Sequence, residues 1–313
     1  MDQLKINEKI YDVAIIGGGI AGCSAAIYAS RFDLSTAIFA EMPGGTITQT
    51  HLVENYPGFV SISGPDLGTK FVEHAVSFGA ELFTKKVIEV KKEGNLFLLT
   101  TRKEIFRSKT IIIATGTDHR TLNVSGEKEF ANRGVSYCAT CDGALFRNKV
   151  VCVVGAGDSA AKEALFLSQY CPHVYVFCRK DGLHPEPINA RRVESSKNIE
   201  IIPNSEISSI FGDENGVKGI KLKNGKEFAL EGVFVEVGRI PRTEAFQNLS
   251  LATDKEGRIL IDMLSKTNVN GVFAAGDITA WQEYAKWDQA IVGAGEAVKA
   301  AYAAYLYLAE NLA

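Results

Sequence analysis

Two cysteines separated by two residues have the clearest chemistry in this sequence. Cys138 and Cys141 lie in the segment 137–143, which reads YCATCDG. On one helical turn this spacing brings both sulfurs to the same side, close enough to form and break a disulfide, and a helix N-terminus would lower the thiol pKa. The same pair could also form an inert structural disulfide or half of a zinc site. Zinc needs two further ligands, and the sequence has no second CxxC or paired histidines, so we expect redox chemistry and no metal.

A glycine-rich loop near the N-terminus predicts a site for a dinucleotide. Gly17, Gly19 and Gly22 follow an apolar strand pattern and precede a helix of small residues. Gly17 permits the turn, Gly19 lets the backbone approach a pyrophosphate, and Gly22 lets helix and strand pack closely. The diphosphate would lie at the helix N-terminus. A second apolar run, 36–40, ends at Glu41, whose carboxylate is expected to accept hydrogen bonds from ribose hydroxyls.

The same pattern recurs in the second half of the chain. An apolar strand pattern over 150–154 precedes Gly155, Gly157 and Ala160, which form the sequence G-x-G-x-x-A at the start of another predicted helix. Three short strands are predicted after each loop, followed by an apolar strand that ends at a glycine. In the first half the short strands are predicted at 82–90, 96–101 and 104–107, with the apolar strand at 111–114. We therefore interpret the chain as two copies of one dinucleotide-binding module.

Two nucleotide sites suggest a permanently bound flavin and a visiting nicotinamide. The C-terminal segment 267–277 is predicted to be a strand that ends at Asp277, whose carboxylate could bind a sugar-alcohol hydroxyl. This segment would return the chain to the first module. We therefore predict an α/β fold with two Rossmann-like dinucleotide-binding domains, each a three-layer ββα arrangement. The flavin domain would be discontinuous, formed by residues 1–121 and 247–313, and residues 122–246 would form the nicotinamide domain that carries the CxxC motif.

The composition is that of a globular protein without a strong charge. Of 313 residues, 46% are hydrophobic and 23% are charged, and the net charge is −3. These values exclude a disordered chain and give no general basic surface for nucleic acid. The first residues lack the apolar stretch of a secretion signal, and segment 289–312 is too polar to span a bilayer. Six scattered cysteines do not resemble a disulfide scaffold, so we expect a cytoplasmic protein with no membrane or nucleic-acid partner.

The ordered set of motifs resembles the low-molecular-weight thioredoxin reductases over essentially the whole chain. The resemblance is carried by GGGIAG at 17–22, PGG at 43–45, VENYPG at 53–58, ATG at 114–116, CATCDG at 138–143, GAGDSA at 155–160, VGRIPRT at 237–243, AAGD at 274–277 and QA at 289–290. Each motif is short, but their order and spacing together are highly specific.

The resemblance implies a thioredoxin-disulfide reductase that holds FAD, uses NADPH and acts on thioredoxin or a thioredoxin-like protein. Together with the first glycine loop, it places FAD at Gly17, Gly19, Ala21, Gly22, Glu41, Gly45, Thr46, Asn55, Gly116, Asp277, Gln289 and Ala290. Together with the second loop, it places NADPH at Gly155, Gly157, Asp158, Ser159, Ala160, Arg179, Lys180 and His184.

The resemblance also implies a role for each catalytic residue. Cys141 would be the thiol next to the flavin, Cys138 would attack the thioredoxin disulfide, and Asp142 would move protons to and from the sulfurs or the reduced flavin. Family members are homodimers whose nicotinamide domain rotates between two states. We therefore predict a homodimer with hinges near 119–124 and 242–247.

The electron donor is where the sequence departs from the family's pattern. The family usually has His-Arg-Arg and a further arginine after the second strand of the nicotinamide module, where this chain has Cys178, Arg179, Lys180 and then His184. The remaining cations favour NADPH, although lysine lacks the bidentate fork of arginine and a histidine is only partly charged at neutral pH. Arg191 and Arg192, further along, could supply charge or lie on a solvated helix face.

Other functions fit parts of the same pattern. Reduced ferredoxin or NADH could feed the flavin, and a thiol oxidase would pass electrons from the flavin to oxygen. A redox sensor would bind nucleotide without turnover, but a sensor does not need the intact CATCD motif.

Two further positions differ from the family, Thr46 in place of glutamine and Asp288 in place of arginine. The aromatic residues of the stretch 281–287 could either cap the FAD or pack at a dimer surface.

Overall fold

The computed structural model describes residues 4–281 and 288–311. The chain divides into two compact units, one formed by Met1–Asp118 with Ile240–Ala313 and the other by His119–Arg239. The described strands are β1 (Lys5–Ile16), β2 (Thr36–Phe39), β3 (Glu81–Phe83), β4 (Glu89–Glu93), β5 (Leu96–Thr100), β6 (Glu104–Ile113), β7 (Thr117–His119), β8 (Val135–Ser136), β9 (Val150–Val154), β10 (His173–Phe177), β11 (Ile199–Ile202), β12 (Ile207–Asp213), β13 (Gly216–Leu222), β14 (Glu227–Ala229), β15 (Gly232–Val235), β16 (Arg239–Pro241), β17 (Ile259–Leu260), β18 (Val272–Ala274) and β19 (Thr279–Ala280). The described α-helices are α1 (Ile20–Arg31), α2 (Gly64–Ser77), α3 (Ala139–Asp142), α4 (Asp158–Leu167), α5 (Pro187–Glu194) and α6 (Ala290–Asn311), and 3-10 turns lie at Gly45–Gln49, Gly143–Phe146 and Glu244–Leu249.

The first unit is built on a sheet with the order β3-β2-β1-β6-β5-β4, and β18 also pairs with β6. The strands β1, β2, β3, β6 and β18 pair in parallel, whereas β4 and β5 are antiparallel. Both faces are covered, which is why the end of β1 is a continuous buried apolar run. On one face α1 and α6 pack through small side chains such as Ala25, Ala29, Ala297 and Ala301. These small residues let both helices lie close to the sheet and to each other.

The strand β6 differs from the expectation. The sequence analysis separated 104–107 from 111–114, but the structure has one strand over Glu104–Ile113. The polar residues between them are not a turn, because Ser108 and Thr110 are fully buried. The Thr110 hydroxyl donates to the carbonyl of Asp12 at 2.7 Å, and the Ser108 hydroxyl donates to that of Tyr11 at 3.2 Å. Backbone acceptors on β1 therefore satisfy the buried hydroxyls and keep the strand continuous.

The second unit has the three-layer arrangement that the sequence predicts. Its central sheet has the order β11-β10-β9-β15-β8, all parallel. The helix α4 packs on one face, where Ala160, Ala164 and Leu167 join the strand residues of that core. A separate antiparallel sheet, β12-β13-β14, packs on the other face. The α/β fold with two Rossmann-like modules is therefore confirmed.

The two crossings between the units lie slightly earlier in the chain than the sequence analysis placed them. The units divide after Asp118 and after Arg239, rather than after 121 and 246. Phe246 and Leu249 are buried in the core of the first unit, which explains why the segment that follows Arg239 belongs there. The carboxylate of Glu127 accepts the N–H groups of residues 122 and 123 at 2.8 and 2.7 Å, which holds that part of the chain in the second unit. The rotation about hinges near 119–124 and 242–247 stays a prediction.

Candidate active site

The three glycines of the G-x-G-x-x-G motif in the first loop are required for different physical reasons. Gly17 has φ +119°, and a Cβ there would lie 2.0 Å from the carbonyl oxygen of Ala114. A Cβ at Gly22 would lie 1.9 Å from the carbonyl oxygen of Gly17. Gly19 has φ −80°, and its nearest described neighbour would be the Cα of Gly45 at 3.6 Å. The fold itself therefore requires Gly17 and Gly22, whereas Gly19 has space in front of it for another molecule.

Other positions expected to hold the flavin are packed around this loop. Gly45 lies against Gly19, because a Cβ at Gly45 would stand 2.6 Å from the Gly19 Cα. Gly276, with φ +84°, approaches Ala21 so closely that an added Cβ would lie 3.0 Å from the Ala21 Cβ. Asp277 follows directly, at the carboxyl end of β18. The tertiary structure thus brings together segments that are more than half the chain apart.

The amide pair Asn55–Gln289 lies at the start of α6. Asn55 donates from Nδ2 to Oε1 of Gln289 at 2.9 Å, and α6 begins at the next residue, Ala290. Asp288 accepts two hydrogen bonds of 2.8 Å from the guanidinium of Arg258. The acid at the position where the family has arginine is therefore held by a cation within the same unit, a pairing that the sequence analysis did not foresee.

The remaining predicted flavin positions are distributed around the same edge of the sheet. Glu41 follows β2 and is exposed, with Lys86 Nζ 3.5 Å from its Oε2. Thr46 lies in the 3-10 turn that begins at Gly45, and Gly116 has φ +65°. Of the aromatic stretch, Trp281 is partly exposed, while residues 282–287 lie outside the described residues. The proposed cap over the flavin stays a prediction.

The residues of the first loop fit a dinucleotide. The helix α1 begins directly after Gly19 and has no acidic residue in its first turn, so its N-terminal N–H groups present a positive end without an internal anion. The open space in front of Gly19 adjoins this helix end. Carboxylates suited to ribose or sugar-alcohol hydroxyls, Glu41 and Asp277, follow parallel strands of the same sheet. This is the edge at which open α/β sheets bind their ligands.

The second loop repeats this arrangement with one substitution. A Cβ at Gly155 would lie 2.3 Å from the carbonyl oxygen of Glu236 and 3.0 Å from the Cβ of Ala160, so the alanine methyl fills the place of the third glycine. A Cβ at Gly157 would meet no described atom within 4 Å. The first turn of α4 contains Ser159 and Ala160 behind this open position. The geometry therefore fits a second nucleotide.

Asp158 has an internal role at this loop. Its carboxylate accepts hydrogen bonds from Lys162 at 2.7 Å, from Asn189 Nδ2 at 2.8 Å and from the N–H of Glu186 at 2.9 Å. Burial acts against ionisation, but these donors outweigh it and hold the pKa of Asp158 below its usual value. The side chain thus ties α4 to α5, and its predicted contact with NADPH stays a prediction.

The cations proposed for the donor lie beyond the end of β10. Arg179, Lys180 and His184 are all exposed. The backbone N–H of His184 donates to the carbonyl of Ala156 at 2.7 Å, which places this residue beside the glycine loop. Its Nε2 lies 3.1 Å from Asp181 Oδ1, and this contact lowers the pKa of the aspartate. The imidazole is therefore partly engaged by an acid of the same turn.

The CxxC motif forms a disulfide between Cys138 and Cys141, with their Cα atoms 5.4 Å apart. Cys138 precedes α3 and is buried, whereas Cys141 is exposed. The backbone N–H of Cys141 donates to Sγ of Cys138 at 3.1 Å. An N–H aimed at this sulfur favours a thiolate there once the disulfide is reduced. The other four cysteines are buried and free.

A serine that the sequence analysis did not single out links this turn to its acid. The Ser136 hydroxyl donates to Asp142 Oδ2 at 2.7 Å and accepts the N–H of Cys138 at 3.1 Å. Asp142 is thereby held within the same turn as the two sulfurs. Ser136 stands two residues before the first cysteine, and its role depends on a backbone direction that sequence spacing alone does not show.

The structure describes residues 4–281 and 288–311, and two kinds of site, for a metal ion and for a membrane span, can be assessed for these residues. Within these ranges no group of three or more histidine, cysteine, aspartate or glutamate side chains is arranged to hold a metal ion. No helix there combines the length and apolar character needed to cross a membrane.

Two nucleotide-type loops and a vicinal disulfide on one chain define a nucleotide-dependent disulfide oxidoreductase. The chain belongs to the pyridine nucleotide-disulphide oxidoreductase family, whose profile matches residues 11–309. Membership implies a flavin and a nicotinamide nucleotide.

Thioredoxin reductases are prominent among the similar proteins. The chain is 45% identical to the thioredoxin reductase of Listeria monocytogenes over 279 residues, which cover 87% of each chain. Its structure resembles that of Lactococcus lactis thioredoxin reductase with a TM-score of 0.91 and 37% identity, covering 96% of this chain and 99% of the other. It also resembles the structure of T. acidophilum thioredoxin reductase, with a TM-score of 0.90 and 35% identity, covering 98% of this chain and 100% of the other.

Proposed function

We propose that this chain is a thioredoxin reductase that reduces the thioredoxin disulfide with electrons from NADPH, passed through FAD and the Cys138–Cys141 pair. The observation that carries this proposal is the vicinal disulfide at the start of α3, in the unit that also holds the second nucleotide loop. The thioredoxin reductases among the similar proteins support the choice of partner.

The chain's own residues supply the thiol chemistry. In the reduced protein the Cys138 thiolate attacks one sulfur of the thioredoxin disulfide, which forms a mixed disulfide and releases the other thioredoxin sulfur as a thiolate. Cys141 then attacks the Cys138 sulfur, which restores the internal disulfide and releases reduced thioredoxin. Asp142, whose carboxylate accepts the Ser136 hydroxyl, is the residue we propose to take the proton of Cys141 and return it to a leaving thiolate.

FAD is proposed for the first unit. Its diphosphate would lie against Gly19 and the N-terminus of α1, with Glu41 and Asp277 near its hydroxyl groups and the Asn55–Gln289 pair beside it. A bound flavin would accept a hydride from the nicotinamide and pass two electrons to the disulfide.

The donor is tested by an anaerobic titration in which the flavin absorbance is followed. We expect NADPH to bleach the flavin, with turnover once thioredoxin is added. Replacing both Arg179 and Lys180 with alanine should raise the KM for NADPH about 10-fold or more with little change in kcat, because the cations bind the 2′-phosphate in ground and transition states alike.

Three further measurements accompany that titration, one on a control variant and two with other electron donors. The matched control Lys197→Ala removes an exposed lysine beyond α5 and should leave the KM unchanged. NADH and reduced ferredoxin are titrated separately. Bleaching by reduced ferredoxin, with none by either pyridine nucleotide, would refute the NADPH assignment and leave the dithiol chemistry standing.

We also propose a cytoplasmic homodimer. Phe32 and Tyr305 stack at 5.0 Å, and Tyr28, Tyr302 and Tyr305 are partly exposed around them, an aromatic surface suited to a second copy. Four free buried cysteines fit a reducing compartment. Light scattering should give a native mass close to twice the 33.9 kDa of one chain, and a mass of one chain would contradict the dimer.

A further inference from the structure

A glutamate with a buried carboxylate oxygen lies against the redox turn. Glu163 is in α4, and its Oε1 accepts the backbone N–H of Ala139 at 2.8 Å. Ala139 is the first residue of α3 and follows Cys138 directly. The first N–H of a helix has no partner within the helix, so the carboxylate takes the place of a cap. The other oxygen, Oε2, is buried and has no hydrogen-bond partner in the described part of the chain.

A second acid lies near the first. Glu236 follows β15, and its side chain is only 7% exposed. Burial and the charge of Glu236 raise the pKa of Glu163, and burial raises the pKa of Glu236 even though Arg239 acts in the opposite direction. The imidazole of His119 is 3.8 Å from Glu236. Burial and the charge of Glu236 both disfavour a charge on Glu163, because a carboxyl in a poorly solvated place ionises less readily when a second acid acts on it.

We propose that Glu163 is a positioning residue for the redox disulfide, which holds the backbone of the CxxC turn through the Ala139 N–H. This inference rests on the proposed redox role of Cys138 and Cys141. It does not depend on the electron donor or on the protein partner.

The position of the negative charge within the pair matters for Cys138. A charge on Glu163 lies close to Cys138, because the carboxylate contacts the backbone N–H of the next residue, Ala139. A charge on Glu236 stands beside Arg239 and His119 instead. A nearby negative charge disfavours a thiolate, so the Cys138 thiol loses its proton more readily when the charge resides on Glu236.

Other titratable groups on the elements around α4 belong to the same environment. Arg239 acts on both carboxyls, and His119 faces Glu236. The elements α3, β9, β10 and α5 pack against α4, and their titratable side chains in the reduced protein are Cys141, Asp142, Cys152, His173, Tyr175, Arg191, Arg192 and Glu194.

Two amide substitutions separate this charge effect from a purely structural one. Glu163→Gln keeps an oxygen that accepts the Ala139 N–H and leaves the charge on Glu236, so the apparent pKa of Cys138 should fall by about one unit. Glu236→Gln removes the repulsion and leaves the charge on Glu163, so that pKa should rise by about half a unit. The control Glu194→Gln alters an exposed acid on α5 and should cause no shift.

The measurement uses the full-length protein as purified, reduced with dithiothreitol and freed of reductant under argon. The rate of iodoacetamide labelling at Cys138 is followed from pH 5 to pH 10 by peptide mass spectrometry, and thermal melting checks the fold of each variant. Opposite shifts in the two variants support the inference. Shifts of the same sign, or no shift in either, would overturn it. If the unaltered protein itself exposes no new thiols on reduction, the proposed redox function fails instead.

Discussion

Replacing Cys138 with serine should lower the turnover of thioredoxin by at least about 10³-fold, because the attacking sulfur is lost. The flavin should still bind and still be reduced by the nicotinamide donor, since neither step needs this thiol. The N–H of Cys141, which lies 3.1 Å from the Cys138 sulfur, is the structural reason to place the thiolate there. Steady-state turnover and anaerobic flavin bleaching, measured on one preparation, check both parts.

The companion variant Cys141→Ser tests which sulfur attacks. With Cys138 intact and its resolving partner removed, the mixed disulfide with thioredoxin should accumulate as a covalent complex on a non-reducing gel. Cys141 is the more exposed residue of the two, so the opposite assignment is a real alternative. If Cys138→Ser accumulates the complex and Cys141→Ser does not, the two roles are reversed. Cys171→Ser is the control, because burial raises the pKa of that thiol to about 11 and keeps it unreactive at neutral pH.

Gly17 and Gly19 of the first loop should respond to alanine in different ways. Gly17→Ala should destabilise the fold by about 3 kcal/mol or more, because φ is +119° and the new Cβ would lie 2.0 Å from the Ala114 carbonyl oxygen. Gly19→Ala should leave the fold intact, since φ is −80° and the nearest described atom would be 3.6 Å from the Cβ. Its methyl group would instead occupy the space proposed for the diphosphate, so FAD should bind at least about 10-fold more weakly.

Thermal melting of the flavin-free protein and titration with FAD separate these effects. The matched control is Gly157→Ala in the second loop, where a Cβ would meet no described atom within 4 Å. That variant should keep FAD affinity and weaken the nicotinamide donor. Wild-type FAD affinity in Gly19→Ala would show that the flavin diphosphate does not lie at this loop.

Much of the fold and of the site could be predicted because it depends on local rules. The glycine positions report backbone angles and close approaches, and both loops were found on that basis at Gly17–Gly22 and Gly155–Ala160. The CxxC spacing by itself placed two sulfurs within reach of each other. The strand β6 was wrongly divided because Ser108 and Thr110 are polar, and their buried acceptors on β1 are about a hundred positions away in sequence.

The sequence by itself determined that this protein has two nucleotide-binding modules and a vicinal thiol pair, because each follows from residues close together in the chain. Only the tertiary structure decided which side chains contact the turn that carries this pair. Glu163 reaches the Ala139 N–H, and Arg258 holds Asp288, through contacts between separate elements. Such contacts depend on how helices and strands pack, and a carboxylate has the same appearance in the sequence whether it faces water or a buried backbone N–H.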